Sequence, residues 1–488
     1  MVEVRERTMP LFVDLRDFLA KADEFGMLRV IGGAHWNLEL GAIAELMNEL
    51  PDNPILMFDK IPDYPPGYRV LTNHLNTAKK VALSRGLPLD LPPLELVKLW
   101  RERRKSYHAV PPIRVDQGPV LENVWKGEDV DLLKFPVPHW RLLDGGRYIG
   151  TGTEVITRDP DSGWVNLGTY RQSVLSRNRL TIYIEPHHHG LHIAQKYWAK
   201  GQACPVAVCY GAEEAVFQAS AASLPPGVSE YDYAGWLRGA PVPTVEGEIT
   251  GLPIPAHAEI ALEGEIPPPE QESHREGPFR EWTGYYTQAP NPQPIIRVQA
   301  VYHRNDPILV GTTAQSRIIR ISTIPDAASN AFEALERAGI PGVRGVWSFM
   351  ESLFIVVSIE QQYAGHSKAA LAVVAGVRHA ASANRYYVVV DEDIDPSDIN
   401  QVLWAVCTRV EPSQQIDILR GMRTGGIDPI VAPEKRENRD YTAAIVLIDA
   451  CKPFPWKQQF GKSLTYSDEF LSQVQAKWGK ALGLPHAG

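Results

Sequence analysis

A chain of 488 residues that is 44% hydrophobic is long enough for two or three domains, each with its own core. Its net charge of −9, with RERRK at 101–105 as the longest basic run, excludes the electrostatic footprint of a nucleic-acid binder. Four cysteines (Cys204, Cys209, Cys407, Cys451) with no CxxC spacing exclude a disulfide scaffold, favour a reducing compartment and read as small apolar packing residues. The N-terminus, MVEVRERTMP, is charged rather than signal-like, and no apolar run reaches the ~20 residues of a membrane helix. The expectation is a cytoplasmic protein without nucleic-acid or membrane partners, in which RERRK is a solvated helix face.

In chain order, DLRDFLAKADEFG predicts a helix stopped at Gly26, LRVI a strand, and LELGAIAELMNEL a second helix: a small α/β region, taken as 1–110. From about 111 to 315 the texture becomes short β-rich runs (GTEVITRD, WVNLGTY, LTIYIEP, CPVAVCYG, IIRVQAVYHR) broken by Gly, Pro and Asn, which predicts a barrel or sandwich. Within it, 222–270 is dense in proline and predicts extended segments and loops. Residues 316–455 alternate again: DAASNAFEALERAG is a helix closed by Gly339, FIVVSIE and YYVVVDEDID are buried strands, and DINQVLWAVCTRV is an amphipathic helix. SDEFLSQVQAKWGKAL, within 456–488, predicts a final helix available to another domain or subunit. The fold class is therefore α+β.

Five polar clusters stand out. In EGPFREWTGYY, Glu276 and Glu281 are five apart, a spacing that suits neither face of a helix nor of a strand; Gly277-Pro278 predicts a turn that brings both carboxylates together beside aromatic rings. NLGTYR puts Asn166 and Arg171 on a run interrupted by Gly168, so that they serve separate subsites unless Gly168 bulges. EPHHHGLH offers His187, His188, His189 and His192, among which an imidazole ligand or a plain surface tract are both open. PPGVSEYDYAGWLRG reads as Ser229 capping a helix with Glu230 in its first turn. DEDIDPSD at 391–398 lacks the glycine and closing glutamate of a calcium loop, and reads as a strand end followed by a helix cap.

Singly each cluster has a plain structural explanation. Together and in order, Asn166-x4-Arg171, EPHHH, PPGVSE, EGPFRE-x-TGYY and AGHSK resemble the UbiD-type decarboxylases, which use prenylated FMN. The resemblance runs from about 110 to 450 and implies a split β-barrel cofactor-binding domain over 111–315, a C-terminal α/β domain over 316–455, and a terminal helix that helps build a homodimer or larger homo-oligomer.

It further implies that Asn166, His188 and Glu230 hold a divalent cation, usually Mn2+, on the cofactor phosphate, with K+ nearby. His188 is preferred by register from Pro186; His187 and His189 stay open. Cofactor contacts fall on Asn166, Gly168, Thr169, Tyr170, Arg171, His187, His188, Glu230 and Lys368. Arg171, Glu276 and Glu281 carry over as the catalytic residues, with Glu276 holding Arg171 and Glu281 protonating the substrate carbon after a covalent cofactor adduct has lost CO2. The implied reaction is reversible decarboxylation of an aromatic, heteroaromatic or α,β-unsaturated acid, with a flavin prenyltransferase supplying the cofactor. Trp282, Tyr285 and Met422 are compatible with the wall of a pocket for a flat acid. Where the family often has glycine before the second glutamate, this chain has Arg280: lowering the pKa of Glu281, binding a second anion and pointing to solvent are all open, and Arg280 also motivates the alternative of a flavin carrier or assembly protein without turnover. A metal-dependent hydrolase built on the histidines ranks below both.

Overall fold

The computed structural model describes residues 10–483 apart from 51–52, 187, 223, 288–289, 313–325, 378–382 and 463–465. It is an α+β molecule organised around one curled sheet. That sheet runs Tyr148–Gly150, Gln172–Ser176, Arg179–Thr181, Asn291–His303, Ile260–Ile266, Cys204–Tyr210, Glu154–Arg158, Val165–Gly168, and Ser273–Glu276 and Asn123–Lys126 also pair with the long strand Asn291–His303. The last strand on this path, Val165–Gly168, is joined to the second, Gln172–Ser176, by three residues, which span roughly 14 Å at most from Gly168 to Gln172. Such a short connection forces the sheet to close on itself into a half-barrel.

Strict alternation buries both faces of that sheet. In CPVAVCY, Cys204, Val206, Val208 and Tyr210 enter a core with the helix Glu39–Asn48 and the helix His189–Trp198. Ala207 and Cys209 enter a second core with Tyr231 and Ala234 of the helix Glu230–Arg238. Cys204, Cys209 and Cys451 are buried and Cys407 is exposed.

The N-terminal strands Leu28–Gly32, Ile55–Asp59 and Arg69–Thr72 form a four-stranded sheet whose fourth member, Ile308–Val310, comes from far down the chain and pairs in parallel with Arg69–Leu71. The expected helix and strand of residues 13–50 are found at Leu15–Glu24, Leu28–Gly32 and Glu39–Asn48.

The C-terminal sheet has the order Val343–Phe349, Phe354–Ile359, Tyr386–Asp391, Thr442–Ala450, Ile416–Arg423. The acidic run is a strand end and a cap, as expected: Asp398 accepts from Asn400 and Gln401 at the start of the helix Ile399–Arg409. RERRK differs from its expectation. Arg101 is buried, stacks on Phe332 at 3.6 Å and pairs with Glu336, while Arg104 reaches Asn330 at 2.7 Å and Arg103 donates to the Leu237 carbonyl at 3.0 Å. The run is thus a seam between the helix Pro93–Arg104 and the helix Asp326–Arg337, because arginine can lay its stem and planar head on aromatic surface that arrives much later in the sequence.

The final helix is Asp468–Leu482, capped by Ser467 and closed by Gly483; its Phe470, Leu471, Trp478 and Leu482 are exposed. Among the described residues no helix is long and apolar enough to cross a membrane.

Candidate active site

The strand Ser273–Glu276 delivers Glu276 and then stops, because Gly277 takes a φ of +95° that a side chain would resist. The loop is pinned by Gly145, whose N–H donates to the Pro278 carbonyl at 2.7 Å, and folds back through Glu281 N–H to the Tyr285 carbonyl at 3.0 Å. Glu276 and Glu281 are thereby both turned inward and buried.

Arg171 lies just past the end of the strand Val165–Gly168 and meets both of them. Its Nε and Nη2 donate to the two oxygens of Glu276 at 2.8 and 3.0 Å, and its Nη1 donates to Glu281 Oε1. The guanidinium is 4.3 Å from the ring centroid of Tyr183 and 4.9 Å from that of Phe279, and the Tyr148 hydroxyl donates to Glu276 at 2.7 Å. Burial opposes the charge on Arg171, but Glu281 and Glu276 more than offset it and keep it protonated. For Glu281 burial is the stronger influence: although Arg171 pulls downward, the carboxyl is held above its ordinary value. One cation therefore serves two carboxylates, and the one it holds by a single contact is primed to keep a proton.

Arg280 turns away from this cluster. It is buried, donates from Nε to the Gly284 carbonyl at 3.1 Å, and its Nη1 lies 3.3 Å from Glu45 on the helix Glu39–Asn48. Its backbone N–H donates to Asp144 at 3.3 Å. Solvent exposure is thus excluded, and Arg280 fastens the loop carrying Glu281 to the N-terminal layer.

A second polar cluster occupies the other end of the same connection. Ser229 caps the helix Glu230–Arg238, as its sequence predicts, and Glu230 accepts from Asn166 Nδ2 at 3.0 Å and from the Leu167 N–H at 2.9 Å. Asn166 and Arg171 fall in separate polar clusters, one with Glu230 and the other with Glu276 and Glu281, because the strand ends at Gly168. Tyr170 fills the space between: its hydroxyl accepts from Gly190 N–H at 3.2 Å and its ring is 5.3 Å from that of His188. A Cβ on Gly168 or Gly190 would collide with that ring. His189 meets Trp164 edge to face with ring centroids 5.1 Å apart and opens the helix His189–Trp198; His187 lies outside the described residues.

These residues fit a cation bound to an anionic group. Asn166 Oδ1 is buried without a hydrogen-bond partner, and Glu230, pushed up to about 7 by burial, lacks a cationic neighbour in its hydrogen-bond set. The start of the helix His189–Trp198 adds its positive end. Among the described residues no three His, Cys, Asp or Glu side chains form a cluster that could hold a metal ion. Lys368 stands apart, in the first turn of the helix His366–Ala375, paired with Asp417 at 2.5 Å. Thr169 belongs to the connection between the two clusters.

A cavity of about 340 Å³ lies between the half-barrel and the C-terminal domain, lined by Tyr183, Glu185 and Pro186 on one side and by 423–426, Arg439 and Tyr441 on the other. Burial and the charge of Glu281 push Glu185 up to about 7, which links this cavity electrostatically to Arg171 and Glu281. Glu185 was visible only as the acid of EPHHH, and the wall residues Arg423 and Arg439 carried no local signal. Of the apolar candidates for a pocket wall, Tyr285 is 61% exposed and Met422 packs against the C-terminal core; the rings lining this cavity are Tyr183 and Tyr441.

The sequence matches the models of the 3-octaprenyl-4-hydroxybenzoate carboxy-lyase N-terminal domain over 19–101, Rift-related domain over 113–317 and C-terminal domain over 324–450. The chain belongs to the UbiD family. Within that family it is 36% identical over 397 residues to a pyrrole-2-carboxylic acid decarboxylase of Pseudomonas aeruginosa, covering 77% of this chain and 78% of the relative. It is 30% identical to a phenolic acid decarboxylase of a Streptomyces species, covering 90% and 92%. The UbiD-class enzyme HmfF of Pelotomaculum thermopropionicum, in complex with FMN, superposes with a TM-score of 0.80 at 27% identity over 93% of this chain and 97% of that one. An evolved dimeric form of the same enzyme, in complex with prenylated FMN, gives 0.77 at 26% over 94% and 98%. The chain is accordingly a carboxy-lyase of the UbiD family.

Proposed function

We propose that this protein decarboxylates an aromatic or heteroaromatic carboxylic acid reversibly, with Glu281 as the proton donor and prenylated FMN as cofactor. The observation that carries this reading is the buried Arg171 shared between Glu276 and Glu281, with the carboxyl of Glu281 held above its ordinary value. The substrate class is taken from the relatives that act on pyrrole-2-carboxylic and phenolic acids.

Loss of CO2 leaves an electron pair on carbon that no side chain of this protein can store. Prenylated FMN, when bound, would supply the electron sink for that pair. Glu276, fixed by two hydrogen bonds and by Tyr148, holds Arg171 in place, and Arg171 holds Glu281. Glu281 then gives its proton to the carbon that carried the carboxylate, and in the reverse direction removes it. Burial raises its pKa and so favours the protonated form that a donor needs, and the rings of Phe279 and Tyr183 pack against the guanidinium that holds it. Asn166, through Oδ1, together with His188 and Glu230, would hold Mn2+ against the cofactor phosphate, with K+ alongside as the family resemblance implies. The exposed apolar side chains of the helix Asp468–Leu482 support a homodimer or larger assembly.

The test is CO2 release from pyrrole-2-carboxylate, benzoate, hydroxybenzoates and cinnamate by protein produced together with a flavin prenyltransferase. Turnover of at least one acid, absent from protein produced without the prenyltransferase, is expected. No turnover of any acid by protein carrying the oxidised cofactor would overturn the proposal.

A further inference from the structure

Glu281 sits on a loop without regular structure, and one short turn ahead of the strand Tyr148–Gly150 grips that loop. The turn is itself fixed: Asp144 N–H donates to the Arg141 carbonyl at 3.1 Å, and His139 Nε2 lies 3.1 Å from the Asp144 carbonyl. Gly145 lets two backbones touch, since a Cβ on it would collide with the Gly277 carbonyl. Asp144 reaches past this contact. Its Oδ1 accepts from the Arg280 N–H at 3.3 Å on the way into the loop, and the Tyr286 hydroxyl meets the same carboxylate on the way out. Arg280 and Tyr286 face each other across an antiparallel bridge, so one buried carboxylate spans both arms with Glu281 between them.

Hydrogen bonding alone does not call for a carboxylate here, because an asparagine oxygen accepts the same bonds without a charge. Burial pushes the Asp144 carboxyl up, while Arg141, the Arg280 N–H, Tyr286 and His139 favour its anion. Around Glu281, burial is the largest upward influence, Arg171 opposes it, and the charges of Glu276 and Asp144 add to it. Glu185 acts on Glu281 from the cavity wall and Arg436 from the C-terminal domain. Glu276 is taken up by its two contacts with Arg171.

We propose that Asp144 is a positioning residue for the proton donor: it ties the two arms of the loop together around Glu281 and sets a negative charge within electrostatic reach of it. The hydrogen bonds fix where Glu281 points. The charge makes the ionised form of Glu281 costlier and so favours the form that has a proton to give. The assignment rests on the reading of Glu281 as the donor.

Two variants of the holoenzyme separate these effects. Asp144→Asn keeps the acceptor and removes the charge; Asp144→Ala removes both. With an acid from the panel above, kcat falls as pH rises through the titration of Glu281, because the donor must carry its proton. Asp144→Asn is expected to move this alkaline limb down by about half a pH unit or more, with KM kept. Asp144→Ala is expected to move it as far and to lower the kcat plateau roughly tenfold below that of Asp144→Asn. Should Asp144→Ala not fold, Tyr286→Phe, which unties one arm and keeps the charge, lowers the plateau with the limb in place. The carboxyl band of Glu281, identified in infrared difference spectra by its loss in Glu281→Gln, reports the same titration without turnover and moves the same way in Asp144→Asn. A limb and a band that stay at their wild-type pH, even with stability lost, would overturn the assignment. So would a plateau equal to that of Asp144→Asn in Asp144→Ala or, in its place, a wild-type plateau in Tyr286→Phe. A band that moves in a protein that turns over no acid would leave the assignment standing while the decarboxylase reading fails; turnover with limb and band unmoved would show the reverse.

Discussion

Arg171 and Glu276 meet through two hydrogen bonds, Nε to Oε1 at 2.8 Å and Nη2 to Oε2 at 3.0 Å, with the Glu276 side chain 1% exposed and that of Arg171 10%. A two-point contact of this kind fixes the plane of the guanidinium, so the remaining nitrogen has one direction available, and Glu281 lies along it. The geometry of the proton donor is thus inherited from a pair that never touches the proton.

Removing the cation should be costly for the fold as well as the chemistry. Arg171→Ala leaves Glu276 and Glu281 facing each other without compensation, and denaturant unfolding should show a loss of about 3–5 kcal/mol, the usual cost of stranding one side of a buried ion pair. Arg171→Lys should recover part of the stability and little activity, because a point charge cannot reproduce the two parallel contacts.

Arg280→Gly, which installs the glycine the UbiD-type motif often has, tests the account of Arg280 as a fastening. Its partner Glu45 is partly exposed, so the stability cost should be on the order of 1 kcal/mol. The expected kinetic signature is a lower kcat with metal affinity unchanged, since the variant frees the loop bearing Glu281 and leaves Asn166 and Glu230 alone. An unchanged kcat would place Arg280 outside the positioning of Glu281.

The metal proposal carries a pH dependence. Burial holds the Glu230 carboxyl up to about 7, above its ordinary value near 4.5. Between those pH values the folded chain keeps a proton that the unfolded chain has released, so the contribution of Glu230 to the stability of the metal-free protein falls as pH rises through this window and levels off above it. A cation must displace that proton. Mn2+ affinity, measured by calorimetry, should therefore rise about tenfold per pH unit from 5.5 towards 7 and flatten beyond. Glu230→Gln should remove both the tight binding and the slope.

Much of this was legible in the sequence where chemistry and local geometry coincide. EGPFREWTGYY announced its turn through Gly277-Pro278, and the turn does bring Glu276 and Glu281 to one cation; PPGVSE announced a helix cap, and Ser229 provides it. What stayed hidden depends on partners distant in the chain. RERRK looked like a solvated face because Phe332 and Glu336, more than 200 residues later, were not in view. The strand Ile308–Val310 completes a sheet begun near residue 28, and Arg280 finds Glu45 across 235 positions. The wall of the cavity is assembled from 423 and 439 against 183–186, an arrangement that no window of sequence contains.

The most direct measurement is CO2 release by Glu281→Gln, made with the flavin prenyltransferase, alongside the absorbance of its bound cofactor. Glutamine keeps the size and a hydrogen-bonding oxygen for Arg171 but has no proton to give. The account predicts that the cofactor spectrum matches wild type while turnover of every acid that wild type accepts falls by at least about 10²-fold, the usual worth of a positioned acid. Turnover within a few-fold of wild type, with the spectrum intact, would contradict it.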